Sequence, residues 1–477
     1  MAESMDSSKF HIAMFPWFAF GHITPFLHLA NQLAERGHNI SFLLPKQAQL
    51  HLQHSTNLLH PHLITFHAVA VPHVQGLPPG TETASEIPIS LNGHLATAMD
   101  LMRDQVEALL RVLKPHFVFY DFAYWIPAIA SKIGSKTVCY SVVSAASVAI
   151  ACKVLVPMDK DKPLSESDAA EFIQYPPPGY PSSTILLNAS EVGVFSFVLQ
   201  EFGSGITFYD RVTTALKECN AISIRTCQEL EGDLCDYIGS QFGKPMLLTG
   251  PVLLPAEPPV LLPAEPAAKT QLEVDGWGKW LDGFEPGSVV FCAFGSQWVL
   301  EKDQFQEIIL GFELTGLPFL VVAKPPSGLT SVEEAFPEGF EERVKAGRGV
   351  VYGGWVDQPA ILGHPSVGCF VSHCGFGSMW EALLSDNQIV LVPHLPDQIL
   401  NTRLMAQELK VAVEVERDEN GLFSREKLCK AIKCVMDKES EEGGMVKKNH
   451  QKWKETLTRQ GFMSGYIDKF VQNLQQL

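Results

Sequence analysis

Val367-Gly-Cys-Phe-Val-Ser-His373-Cys-Gly375-Phe376-Gly377-Ser378-Met-Trp-Glu381 decides how this chain folds. Val367 to Val371 is an apolar run of strand length. It ends at His373, passes two glycines and enters a helical pattern from Ser378 to Leu384. A strand, a glycine-containing turn and a helix N-terminus form an anion site, because the first backbone N–H groups of a helix have no internal partner and its dipole favours negative charge there. Small residues let a phosphate approach the backbone. Just before this stretch stand Trp355 and Gln358, and just after it Asp397-Gln398. An aromatic platform, a phosphate cradle and a polar pair for hydroxyl groups on one short segment suit a nucleotide sugar.

The same α/β rhythm extends upstream and downstream of this stretch. Ser288–Phe294, Pro318–Ala323, Gly349–Tyr352 and Ile389–Val392 read as strands. Trp277–Leu281, Asp303–Leu314, Asn401–Leu409 and Ser424–Met436 read as helices, and Trp453–Leu477 as a terminal amphipathic helix. An earlier set begins with strand His11–Phe15, helix Thr24–Arg36 stopped by Gly37, and strand Ile40–Leu44. Leu95–Leu113 is helical, Phe117–Tyr120 is a strand delivering Asp121, and Thr137–Val142 is a strand leading to Ser144. Ligands of open α/β sheets sit outside the carboxyl ends of strands, where His22, Asp121 and Ser144 would project. Residues 151–210 are irregular and aromatic-rich (Phe195, Phe197, Phe202, Phe208), and read as loops and helices covering a pocket. Between the two sets, Pro-Val-Leu-Leu-Pro-Ala-Glu-Pro occurs at 251–258 and again at 259–266. Prolines at this density favour extended chain and mark a spacer.

The 477 residues, 46% of them hydrophobic, allow two domains with large cores. The expectation is an α/β protein of two Rossmann-like doubly wound domains facing a cleft. Residues 1–248 would form an acceptor-binding domain, 249–270 a linker and 271–452 a nucleotide-sugar domain. Helix 453–477 would pack back on the first domain. With 36 basic and 53 acidic residues the formal charge is −17, which argues against nucleic acid or an anionic membrane as partner. A diphosphate must then be held by local dipoles and a few donors. The start lacks a signal-peptide pattern, and no run is apolar enough for a membrane span, so a cytoplasmic monomer is expected. The ten scattered cysteines read as free buried thiols, and Asn188-Ala189-Ser190 as a chance acceptor triplet.

At this point the residues resemble a known family. Trp355, Gln358, Leu362, His364, Pro365, Gly368, Phe370, His373, Gly375, Ser378, Glu381, Pro393, Asp397 and Gln398 match at fixed spacing the signature box of plant UDP-sugar-dependent glycosyltransferases. The similarity runs from Gly21-His22 to the C-terminal helix. Phe376-Gly-Ser-Met-Trp-Glu381, Ser385-Asp-Asn-Gln-Ile-Val-Leu-Val-Pro393 and Asn401-Thr-Arg-Leu404 resemble the branch that adds a second sugar to flavonoid or anthocyanidin 3-O-glucosides, at the 2''-hydroxyl. The resemblance implies a GT-B fold, inversion at the anomeric carbon and no cofactor or required metal, the UDP-sugar being a co-substrate. Asp159-Lys160-Asp161 has the Asp-x-Asp spacing of metal-dependent sugar transferases. It lies in a polar, lysine-interleaved stretch, so no metal is expected there.

Carried over position by position, the resemblance gives Trp355 to the uracil, with Val356 beside it, and Gln358 and Glu381 to the ribose. His373, Gly375, Gly377, Ser378 and Ser296 would hold the diphosphate. Asp397 and Gln398 would bind the donor sugar, and Ser144 the sugar or its phosphate. His22 would be the general base and Asp121 its orienting partner. Two departures stand out. Phe376-Gly377 replaces Trp-Asn, leaving only backbone donors at 377, and Asp386-Asn387-Gln388 replaces a Gly-x-Pro turn.

Ordinary readings stay open for single residues. His22 and Asp121 could cap helices, His373 could be a satisfied strand-end histidine, and Trp355 could be core. His364, Met379 and Trp380 read as structural. A dinucleotide oxidoreductase is disfavoured because Phe20-Gly21-His22-Ile23 lacks Gly-x-Gly-x-x-Gly. A non-catalytic nucleotide-sugar binder is disfavoured by the presence of both His22 and Asp121. A terpenoid glycoside or an aglycone hydroxyl is the alternative acceptor, and glucose, xylose and rhamnose are all open as donor sugars.

Overall fold

The computed structural model describes residues 9–53, 58–151, 176, 178–188, 191, 197–253, 276–295, 298–344, 349–418 and 421–477. Ser296, Asp159-Lys160-Asp161, Ala189, Ser190, Phe195 and the tandem repeat beyond Leu253 lie outside them. The chain divides into two compact units. One comprises Met1–Ser182, Val192–Leu254 and Gln460–Leu477, the other Ser183–Glu191 and Pro255–Arg459.

In the first unit, strands β1 (His11–Phe15), β2 (Asn39–Pro45), β3 (Ile64–Val69), β4 (Phe117–Tyr120), β5 (Lys136–Ser141), β6 (Ala221–Ile224) and β7 (Met246–Leu248) form one sheet. Its order is β3-β2-β1-β4-β5-β6-β7, and neighbouring strands run parallel. The inner strands are mainly apolar and largely buried because helices cover both faces of a parallel sheet. In the second unit, β8 (Val289–Ala293), β9 (Phe319–Val322), β10 (Gly349–Tyr352), β11 (Val367–Ser372), β12 (Gln388–Leu391) and β13 (Val413–Glu414) run parallel in the order β10-β9-β8-β11-β12-β13. Both sheets therefore reverse direction of winding between their first and fourth strands. There, β1 ends flush with β4, Phe15 opposite Tyr120, and β8 ends flush with β11, Ala293 opposite Ser372. The next residues along β4 and β11 are Asp121 and His373. Each unit thus presents a candidate site residue at the switch point where doubly wound folds bind ligands.

Several helices differ from their sequence reading. The first spans Phe20–Glu35, so His22 lies in its opening turn and not in a loop before it. Pro25 cannot donate to the Gly21 carbonyl, which loosens that turn from the rest of the helix. The helix read over 95–113 is two, Asn92–Leu101 and Arg103–Leu113. The helix read from Asn401 begins earlier, as Pro396–Arg403, and continues as a π-helical segment Leu404–Glu408. The terminal helix is also two, Glu441–Thr458 and Phe462–Leu474, parted at Gly461 with φ 81°. Strands β3, β6 and β7 and helices Lys46–Gln53, Ile126–Ile133, Phe208–Glu218 and Gln228–Phe242 were not anticipated.

Each unit has its own core. Ile12, Met14, Phe26, Leu29, Phe42 and Phe119 are packed in the first with Ile467, Phe470 and Leu474 from the last helix. Phe470 meets Phe119 edge-on, ring centroids 5.9 Å apart. Arg36 Nε donates to Asp468 at 2.7 Å, and Tyr466 Oη donates to Glu229 at 2.6 Å. The second core gathers Val290, Cys292, Phe305, Ile309, Val371, Val390 and Ile432. Among the described residues the cysteines are free, and most are buried. No helix among the described residues is long and apolar enough to cross a membrane. Phe470→Ala should destabilise the first unit by about 3–5 kcal/mol, the usual range for emptying an aromatic core position. Urea unfolding followed separately in each unit, by hydrogen exchange, should show the loss confined to the first.

Candidate active site

Asp121, one residue beyond β4, is buried and fully engaged. Its Oδ1 accepts from the backbone N–H of Trp17 at 2.7 Å and of Phe122 at 2.6 Å, and its Oδ2 accepts from His22 Nδ1 at 2.7 Å. A carboxylate held by two backbone donors cannot rotate, so it fixes the imidazole plane. Because the carboxylate accepts, the neutral ring carries its proton on Nδ1, and Nε2 presents a lone pair. His22 keeps 19% of its side-chain surface exposed, enough to meet a substrate. The pair therefore has the geometry of a general base and its orienting anion.

Aromatic rings surround this pair. Phe122 lies 5.4 Å from the His22 ring and 5.5 Å from Trp17, and Trp17 lies 5.8 Å from Phe202. Phe208 packs at 5.4 Å from Phe122 and 5.2 Å from Phe202, with Phe197 behind it. Phe122, Phe202 and Phe208 are half-buried, so the cluster is an open aromatic wall beside the base. Ser144 is not part of it. It is fully buried, and its hydroxyl meets the backbone N–H and the hydroxyl of Ser147 at the start of helix Ala145–Ala151. This corrects its reading as a ligand contact, because a side chain with no accessible surface that caps its own helix has nothing left to offer a sugar.

In the second unit, β11 delivers His373, and helix Phe376–Leu384 begins after Gly375. Gly375 makes no side-chain cap, so the N–H groups of Phe376, Gly377 and Ser378 are the orphan donors of the first turn. His373 Nδ1 donates to the Ala293 carbonyl at 3.2 Å, across the switch point. The ring lies between two glycines. A Cβ on Gly295 or Gly375 would stand 2.7 or 2.6 Å from His373 Nε2, which is why neither position carries a side chain. Burial lowers the His373 pKa from 6.5 to about 4, so the ring is neutral near pH 7.

Gln358, Ser378 and Glu381 form one cluster. Gln358 Nε2 donates to Ser378 Oγ at 3.0 Å and to Glu381 Oε2 at 2.6 Å. Ser378 and Glu381 sit three residues apart on one helix face. A carboxylate is an acceptor-only group with two oxygens, suited to a vicinal diol. Trp355 is 71% exposed and offers a free indole face, whereas its neighbour Val356 is buried. Asp397 is half-buried in the first turn of helix Pro396–Arg403, where the dipole favours its charge. Gln398 is buried, and its Oε1 accepts from the backbone N–H of His394 and Leu395, both at 2.9 Å. Its oxygen is thus spent on capping, and only its amide N–H groups remain as donors. Pro396 at the first helical position marks the helix start in the sequence, but the N-cap is Leu395, so no Ser/Thr signature announces the cap. Arg403, closing that helix, is buried between Glu191 and Glu414, with Nη2 2.5 Å from Glu191. His364 is structural, accepting from Ser366 N at 3.3 Å, and Met379 and Trp380 are core.

Two parallel doubly wound units, with a histidine–carboxylate pair in one and an aromatic, diol and anion set in the other, define a GT-B glycosyltransferase. The family described as UDP-glucoronosyl and UDP-glucosyl transferase matches residues 338–452. UDP-glycosyltransferase 79B6 of Arabidopsis thaliana is 56% identical over 470 residues, 98% of each chain. An Arabidopsis thaliana anthocyanidin 3-O-glucoside 2'''-O-xylosyltransferase is 55% identical over 477 residues, 99% of this chain and 98% of its own. The structure of Medicago truncatula UGT71G1 complexed with UDP-glucose shares the fold, with a TM-score of 0.77 at 21% identity over 98% of both chains. The chain belongs to the plant UDP-glycosyltransferase family and is an enzyme that takes its sugar from a UDP-sugar for a small-molecule acceptor.

The tautomer of His373 has a measurable consequence. With Nδ1–H given to Ala293, Nε2 has no proton, and a diphosphate brought against it requires the ring to become imidazolium. Binding of UDP-glucose should then take up protons in the pH window between the free value of about 4 and the higher bound-state value, and weaken as pH rises through that window. Calorimetry in two buffers of different ionisation heat reads this directly, and His373→Gln should abolish the difference. Identical heats for the parent enzyme would leave His373 as a strut between two glycines.

Proposed function

We propose that the enzyme adds a second sugar to the glucose of a flavonoid or anthocyanidin 3-O-glucoside, at its 2''-hydroxyl, with inversion at the anomeric carbon. The observation that carries this reading is the 55% identity, over 99% of the chain, to a protein named as an anthocyanidin 3-O-glucoside xylosyltransferase. The aromatic wall of Trp17, Phe122, Phe202 and Phe208 beside His22 supports a planar aromatic acceptor.

In this mechanism the acceptor hydroxyl gives its proton to His22 Nε2 as its oxygen attacks the anomeric carbon. The bond from that carbon to the β-phosphate oxygen breaks, and UDP leaves with the electron pair. Asp121 stabilises the imidazolium and holds its orientation. Negative charge developing on the leaving oxygen is met by the first-turn N–H groups at Phe376–Ser378 and by His373. Trp355 stacks on the uracil, Glu381 and Gln358 bind the ribose diol, and Asp397 with the Gln398 amide binds sugar hydroxyls. General-base assistance of this kind is worth about 10²–10⁴-fold.

The test is a panel of UDP-glucose, UDP-xylose and UDP-rhamnose against a flavonol 3-O-glucoside and its aglycone, with product mass and linkage read out. A 2''-linked disaccharide is expected, and transfer to the aglycone alone would overturn the sugar-on-sugar assignment. His22→Ala should reduce turnover by about 10²–10⁴-fold while UDP affinity stays within a few-fold. Trp355→Ala should do the reverse, weakening UDP first. Treatment with a chelator should leave turnover unchanged. A loss restored by a divalent cation would sink the metal-free reading.

A further inference from the structure

Arg211 takes no part in the mechanism above, yet it is the most heavily engaged side chain near His22. It lies in helix Phe208–Glu218 with 0% of its surface exposed. Its fork grips Asp100 in bidentate fashion, Nη1 to Oδ1 at 2.9 Å and Nη2 to Oδ2 at 2.6 Å. The remaining donors reach three backbone carbonyls: Nε to Phe202 at 3.0 Å, Nη1 to Phe122 at 3.2 Å and Nη2 to Gly203 at 3.4 Å. Asp100 Oδ1 also accepts from Trp125 Nε1 at 3.0 Å, and the guanidinium lies 5.1 Å from the Tyr124 ring centroid.

A buried ion pair is a poor way to gain stability, since apolar residues of similar volume often do as well. What a planar five-donor fork supplies is fixed geometry. Here it ties together two loops that are eighty residues apart, by the carbonyls of Phe122 and Phe202. Those two residues carry rings of the aromatic wall, Phe122 against His22 and both against Trp17. Phe122 also donates its N–H to Asp121, so the backbone of one residue separates the guanidinium from the carboxylate that orients the base. The loop at Gly203 closes on the same group. Its φ is +87°, and a Cβ there would stand 2.8 Å from Arg211 Nη2, Ala96 Cβ and Thr97 N.

We propose that Arg211, with Asp100, is a positioning residue for the acceptor. It sets the spacing of the Phe122 and Phe202 rings, and that spacing selects a planar aromatic glycoside at His22. The inference rests on His22 being the base that meets the acceptor.

The test uses the full-length enzyme and Arg211→Lys, Arg211→Gln and Gly203→Ala. Gly203→Ala displaces the Phe202 loop while leaving the ion pair's charges in place, and so serves where an Arg211 variant does not fold. Dissociation constants are measured for a flavonol 3-O-glucoside and, separately, for UDP-glucose, alongside the acceptor KM and kcat. The expected result is acceptor binding weakened on the order of tenfold, carried by KM more than kcat, with UDP-glucose affinity unchanged. Lys, which keeps the charge but loses the fork, should fall on the side of Gln. Unchanged acceptor binding, a parallel loss of both ligands, or full rescue by Lys would each overturn the proposal. A parent enzyme that binds no aromatic glycoside, or a His22→Ala enzyme that still transfers, would instead defeat the functional reading on which it stands.

Discussion

The 2.7 Å hydrogen bond from His22 Nδ1 to Asp121 Oδ2 is the constraint on which the chemistry proposed for the first unit depends. The opening turn of its helix holds the backbone of His22 but does not orient its ring. Asp121 orients the ring, and it is itself immobilised by two backbone donors from Trp17 and Phe122. The parallel pairing of β1 with β4 brings these segments together although about a hundred residues separate them. The orientation of the His22 ring is a property of the sheet, delivered through one carboxylate.

The second unit solves the opposite electrostatic problem with the same topology. In the proposed mechanism a chain with formal charge −17 must receive a dianionic UDP-sugar. The place offered for it is the point where uncapped helix N–H groups and a ring wedged between Gly295 and Gly375 meet beyond β8 and β11. The position just past the fourth strand thus holds the partner of His22 in one unit, Asp121, and in the other His373, the proposed neighbour of the phosphate. Neither site relies on the net field of the molecule, which would repel the donor.

Much of this was legible in the residues and some of it was not. Continuous apolar runs such as Val289–Ala293 and Phe117–Tyr120 announce buried parallel strands, and the spacing from Trp355 to Gln398 announces the nucleotide set. The edge strand Ile64–Val69 mixes Thr65 and His67 with apolar residues, because an outer strand is only partly covered, and it carries no such signal. The helix break at Met102 involves neither proline nor glycine, so no residue type marks it in the sequence. Gln398 shows a deeper limit: the same residue at the same spacing serves as a ligand contact or as a cap, and only the coordinates reveal that its oxygen is occupied. Arg211 was invisible for a related reason. Its partner Asp100 and the carbonyl of Phe122 are remote in the chain, and nothing local marks an arginine as buried.

The last helix, Phe462–Leu474, fills a core that the first residues of the chain begin. During synthesis the opening unit therefore emerges from the ribosome without Ile467, Phe470 and Leu474, and its apolar floor stays uncovered until that helix follows. The second unit, complete by Arg459, has all its strands earlier. Maturation would then run against the order of the message, with the half encoded first being the half finished last.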